Sequence, residues 1–231
     1  MFSLSPEEWV AIGLSLRIAS VATLLSLPLA VATALLLARG RFSGRNLIDG
    51  VVHLPLILPP VVTGFALLLL FGRRGPIGSV LAEMGIVVAF RWTGAALAAG
   101  VMAFPLMVRT IRLSIEAIDP RLEAAAGTLG ANRFWTFLLV TLPLAAPGIL
   151  VGAILAFAKA LGEFGATITF VSNIPGETQT ISAAIYSLTQ TPGGDLAALR
   201  LAIVAGAIAL AALVISELLQ RRTVARVSGV A

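Results

Sequence analysis

The sequence predicts an all-α integral membrane protein, a single domain over residues 1–231 with about five transmembrane helices and one short helix in a charged connecting loop. Three observations predict it. Hydrophobic residues make up 58% of the chain and charged ones 12%, with a mean hydropathy of +1.02, which leaves too little polar side chain to cover a soluble globule. The apolar residues gather into charge-free runs approaching the roughly 20 residues that cross about 30 Å of hydrocarbon. The arginines fall unequally on alternate connections, the asymmetry that orients a multi-span protein.

The first run, Ile18 to Ala38, extends with flanking apolar residues to a span over 10–38. A cleaved signal peptide is the alternative for this end. Glu7 and Glu8 stand where its basic region belongs and the apolar run is too long, so the segment reads as a retained helix. Gly50 to Gly72 supplies the second span, 50–72, and Trp92 to Val108 the third, extended to 92–114. Phe134 to Ala158 supplies the fourth, 134–160, and Leu201 to Ser216 the fifth, 196–219. Ile86 to Phe90 is too short to cross, and Phe164 to Ile174 carries Thr, Ser and Asn among its apolar residues; both read as interfacial or re-entrant pieces.

One set of connections holds Arg39, Arg41, Arg45, Arg109, Arg112, Arg121, Arg133, Arg221, Arg222 and Arg226. The other holds Arg73, Arg74, Arg91 and Arg200, with acidic Glu7, Glu8, Glu163, Glu177 and Asp195. The positive-inside bias then predicts an external N-terminus and a cytoplasmic C-terminus. The net charge of +5 follows from that bias. No basic stripe interleaved with aromatics supports a nucleic-acid partner.

Prolines lie inside several spans: Pro28; Pro55, Pro59 and Pro60; Pro105; Pro143 and Pro147. Each frees a helix carbonyl, tolerable in lipid only beside another helix, a hydroxyl side chain or water. The LPLILPPVVTG stretch of the second span is therefore read as bent, facing either the protein interior or a conduit, with a simple kink in a packed helix as the other reading. Small residues at Gly94 to Gly100 and Gly148 to Gly152 allow close helix packing.

The loop over 115–133 is the most informative. Asp119 followed by Pro120 marks a helix start, Leu122, Ala126 and Leu129 recur at i, i+4 and i+7, and Gly130 marks the end. The periodicity fits a helix seated in a partner's groove or one lying on the membrane surface.

Several chemistries have no residues to carry them. Cysteine is absent, so no disulfide framework or thiol chemistry is available. There is no phosphate-cradling G-x-x-x-x-G-K-[ST], and the sole lysine, Lys159, follows Ala158 within a span. No metal-ligand cluster and no catalytic residue is assigned, and His53 reads as a packing or interfacial residue. Lys159 and Glu163, spaced i, i+4, suit a mutually neutralising pair, and Arg73 and Arg74 suit interfacial anchors or an anion-attracting mouth.

Ala124, Ala125 and Ala126, then Gly130, then Val140, Thr141, Leu142 and Pro143 resemble the EAA loop of ABC-importer permeases: EAA, three residues, Gly, nine residues, Ile, any residue, Leu, Pro. Ala124 stands in the place of Glu, with Glu123 one position earlier, and Val140 replaces Ile. HLPLILPPVVTG, GRRGPIG, FPLMVRTIRLSIE, LGEFGATITFVSNIPGETQTI and QTPGG extend the resemblance nearly from end to end, to the molybdate-permease family of importers, shared in part with sulfate permeases.

The resemblance implies a type I importer fold, with Arg121, Leu122, Glu123, Ala124, Ala125, Ala126, Leu129, Gly130 and Asn132 forming the coupling element that fits an ATPase subunit. It implies a permease homodimer in the cytoplasmic (inner) membrane, in contact with lipid, with two ABC ATPase subunits that use ATP while this chain binds no cofactor. It also implies a periplasmic or extracellular molybdate-binding protein outside. A dianion's path needs hydrogen-bond donors without a trap so deep that release slows. Thr63 and Gly64 after the proline cluster, and Glu163, Thr167, Thr169 and Asn173 around GEFGAT, are candidates, with ordinary interhelical bonding as the other reading. Tungstate or sulfate could replace molybdate. A secondary transporter would show internal repeats and ionisable relays, and a membrane enzyme clustered acids or histidines; neither pattern is found.

Overall fold

A computed structural model describes residues 4–227, with side chains described through 219. Ser3 and Ser228 lie outside the described residues, and Arg221, Arg222 and Arg226 outside the described side chains. The described residues form helices α1 (Pro6–Arg39), α2 (Arg45–Ile57), α3 (Pro60–Phe71), α4 (Pro76–Glu83), α5 (Trp92–Glu116) and α6 (Pro120–Thr128). There follow α7 (Arg133–Thr136), a π-helical turn over Phe137–Thr141, α8 (Leu142–Leu161), α9 (Gly165–Val171), α10 (Ile181–Thr189) and α11 (Asp195–Val227).

Four of the predicted spans are single helical stretches long and apolar enough to cross a membrane: α1, α5, the continuous Arg133–Leu161 stretch, and α11 over Asp195–Leu219. The second is broken. Pro60 has no N–H to continue the ladder and disfavours the helical conformation at Pro59, so α2 ends at Ile57 and α3 starts again at Pro60, turned by 114°. This is far more than a kink. Ile86 to Phe90 forms no regular helix, whereas Phe164 to Ile174 contains the seven-residue α9, too short to cross.

Alanine and glycine place α5 at the centre of the bundle. Gly94, Ala95, Ala96, Ala98, Ala99, Gly100 and Ala103 are all buried, followed by Met107, Val108, Ile111 and Ile115 toward its end. Small side chains let backbones approach closely where lipid offers no hydrophobic drive for association. The chief neighbours of α5 are α1 and α8; α3 packs on α9, and α11 on α8 and α10. None of the described residues of α2 is buried, and Leu47, Val51, Leu54 and Ile57 point outward.

Polar residues mark the two ends of the bundle. At one, Ser5 and Glu8 close a capping box on α1, and Glu8, 5% exposed, accepts from Arg200 of α11 at 2.9 Å. Ser15 accepts from Ile181 N–H of α10 at 2.7 Å. At the other end, Arg112 of α5 bonds Asp49 of α2 at 3.0 Å and Glu116 at 2.8 Å. His53 stands one turn on from Asp49, its Nδ1 2.9 Å from the Asp49 carbonyl within the same helix. The C-terminal end of α1 and the whole of α6 lie at this second end, as the contacts of Arg39 below establish.

Candidate functional site

Asp119 starts α6 by accepting from Arg121 N–H at 2.9 Å, with Pro120 at the first helical position. Gly130 has φ +90°, the left-handed conformation that closes a helix, and its backbone faces open space. Asn132 opens α7 by accepting from Trp135 N–H at 3.0 Å. The predicted start and stop are built by local hydrogen bonding and φ preference, and the structure adds the cap at Asn132.

No residue of α6 is buried. Leu129 is 89% exposed and Leu122 49%, an apolar surface presented away from the bundle, with Arg121, Ala124 and Ala125 also exposed. The helix turns Glu123 and Ala126 inward, so the apolar edge is Leu122, Ala125 and Leu129, and Ala126 sits partly covered. Glu123 is fully engaged within the chain: its carboxylate accepts from Arg39 Nε of α1 at 3.2 Å and from the Thr141 hydroxyl at 2.9 Å. Arg39 Nη2 also donates to the carbonyls of Ile115 and Ile118 at 3.1 and 3.0 Å.

The other candidates meet where α3 crosses α9. A Cβ added to Gly64 would fall 2.5 Å from the Ala166 carbonyl oxygen and 2.9 Å from Thr169 Cβ; one added to Gly165 would fall 2.7 Å from Pro60 Cβ. Glycine is required there for backbone approach. Thr63 is buried beside it, and its hydroxyl has no hydrogen-bond partner among the described residues. Thr167 and Thr169 donate to their own helix, to Phe164 and Gly165 carbonyls, each at 2.8 Å. Glu163, 3% exposed, accepts from Ala166 N–H at 3.0 Å to cap α9 and pairs with Lys159 at 3.3 Å. Asn173, beyond α9, donates to Ser187 of α10 at 2.6 Å.

The structure thus brings Thr63, Gly64, Thr167 and Thr169 to one crossing, with Glu163 and Asn173 flanking α9. Arg39, Thr141 and Gly165 carry contacts that the sequence reading did not single out. Arg39 and Thr141 meet Glu123 only across 84 and 18 residues of chain, a separation no periodicity reports. Gly165 lies within the GEFGAT stretch and is the one with a local signal.

The family model described as "Binding-protein-dependent transport system inner membrane component" matches residues 26–229. The chain is 58% identical over 219 residues to the molybdenum transport system permease protein ModB of Escherichia coli (strain K12), covering 94% of this chain and 96% of that one. It is 38% identical over 216 residues to the sulfate transport system permease protein CysW of Synechococcus elongatus, covering 92% and 74%. A chain of a bacterial ABC transporter involved in the import of the acidic polysaccharide alginate superposes with a TM-score of 0.72 at 22% identity, over 92% of this chain and 80% of the other, a likeness of fold.

Proposed function

Since the chain belongs to the binding-protein-dependent transport system inner membrane component family, we propose that it is the permease subunit of an ATP-driven importer that moves molybdate inward by alternating access. The observation that carries the substrate is the pairing of 58% identity over nearly the full length to a molybdenum permease with 38% to a sulfate permease. Uptake by the reconstituted complex tests it. Molybdate accumulation should be reduced by excess tungstate and hardly by sulfate; sulfate accumulation in its place would overturn the assignment.

Its energy comes from a partner. Two ATPase subunits gripping α6 of each copy in a homodimer, with a molybdate-binding protein on the opposite face, fit the exposed apolar edge at Leu122 and Leu129. The chain has no phosphate-cradling loop of its own. The purified subunit should neither bind nor hydrolyse ATP, and liposomes holding it alone should not accumulate molybdate. Uptake in such liposomes under a proton or sodium gradient would instead point to a secondary transporter.

The arginine asymmetry supports a cytoplasmic α6 and C-terminus and an external N-terminus. The geometry supports a common side for the start of α1, α10 and the start of α11, linked by Glu8–Arg200 and Ser15–Ile181. Single-cysteine variants test the orientation cleanly in a chain with no cysteine. Positions 176 and 191 should label from outside in sealed cells and position 128 only after permeabilisation. Labelling of 128 from outside reverses the topology.

A further inference from the structure

We propose that Arg39 and Thr141 are positioning residues that make α6 move as one body with the bundle, an inference resting on α6 as the ATPase-docking helix. Apart from these two side chains, α6 is weakly held. It has no buried residue, its apolar side faces outward, and it lies between the Ala117–Asp119 turn and the left-handed Gly130. A groove of about 700 Å³, lined by Leu35, Leu36, Gly127, Ala131 and Phe137 among others, separates it from α1. A helix attached in this way could tilt under load without displacing the spans.

Two side chains close that freedom. The Arg39 guanidinium spans three groups: the Glu123 carboxylate on α6, the Ile115 carbonyl in the last turn of α5 and the Ile118 carbonyl just beyond it. The planar fork of arginine takes up the remaining acceptor capacity of these helix-end carbonyls while gripping the carboxylate. The same carboxylate also accepts from the hydroxyl of Thr141, 2% exposed, the last residue of the π-helical turn that leads into α8. One carboxylate on the loop helix therefore ties together the end of α1, the end of α5 and the start of α8. Those are the elements that pack most closely in the core, so a push on α6 reaches the centre of the bundle. Lysine at position 39 could keep the charge but not all three bonds. Valine at 141 would keep the shape and lose the donor.

The test uses the complete complex of permease, ATPase and binding protein in proteoliposomes, reading molybdate transported per ATP hydrolysed, ATPase stimulation by molybdate-loaded binding protein, and ATPase retained on purification. Arg39→Gln and Thr141→Val should retain the ATPase and lower transport per ATP by about tenfold, a typical coupling between sites. Arg39→Lys should fall between, and Thr141→Ser should restore nearly full coupling, a rescue that general packing damage would not show. Normal coupling in Arg39→Gln overturns the proposal; if that variant fails to fold, Thr141→Val decides, and equal damage from Thr141→Ser and Thr141→Val overturns it as well. Failure of the docking reading is separately visible, because Leu129→Asp would then retain a fully stimulated ATPase.

Discussion

Leu129→Asp is expected to yield a folded, inserted subunit that no longer captures its ATPase. The side chain is 89% exposed, so the subunit's own packing does not register the change and membrane insertion and dimer formation should match the unmodified protein. The cost falls wholly on assembly. An aspartate carried into an apolar cleft without a partner must shed its water, a penalty of several kcal/mol, which corresponds to a loss of more than about a hundredfold in affinity. Gly130→Val should weaken coupling by another route. Its added side chain meets no atom, but φ +90° is a conformation that a β-branched residue adopts only with strain of about 1–2 kcal/mol, redirecting the chain as it leaves α6. Co-purification of ATPase with each variant, and ATP hydrolysis stimulated by loaded binding protein, read the two effects. Normal assembly and transport by both would remove 121–132 as the docking element.

How far this site could be read from the sequence depends on the range of the physics. Asp119, Pro120, Gly130 and Asn132 act through hydrogen bonds to residues two or three positions away or through their own φ angle, and those signals survive in one dimension. The spans were legible for the same reason, since hydrocarbon thickness sets the length of an apolar run. The break at Leu58–Pro59 was announced by the prolines, but its 114° turn was not, because the angle is set by what α3 packs against. Ala126 illustrates a subtler gap. Its spacing from Leu122 fits an apolar edge, yet Glu123 must face Arg39 and Thr141, and this rotates Ala126 inward with it. Glu123 itself is legible as the acid one position before the motif's own, whereas its partners come from α1 and the start of α8.

Gly64→Leu is expected to be the most damaging single change at the α3–α9 crossing, and the lesser Gly64→Ala shows what Gly64 does. If this glycine opened a path for an oxyanion, a single methyl would obstruct passage and leave the fold intact. The geometry argues for packing. The new Cβ would lie 2.5 Å from the Ala166 carbonyl oxygen and 2.9 Å from its Cα, backbone atoms that cannot rotate aside. The two helices must separate, and Gly165 against Pro60 shows the same closeness from the α9 side, so the separation loosens the start of α3 too. Overpacking of this kind costs about 1–3 kcal/mol for a small group. Leucine adds three further carbons at the same point and should reduce the yield of folded subunit. Gly13→Ala and Gly206→Ala provide the reference, because a Cβ at either meets nothing within 4 Å and alanine favours the helix. Thermal unfolding of the detergent-solubilised protein should therefore fall for Gly64→Ala and hold or rise for the other two. A Gly64→Ala protein as stable as Gly206→Ala, with uptake alone impaired, would move Gly64 from the packed crossing into the translocation path.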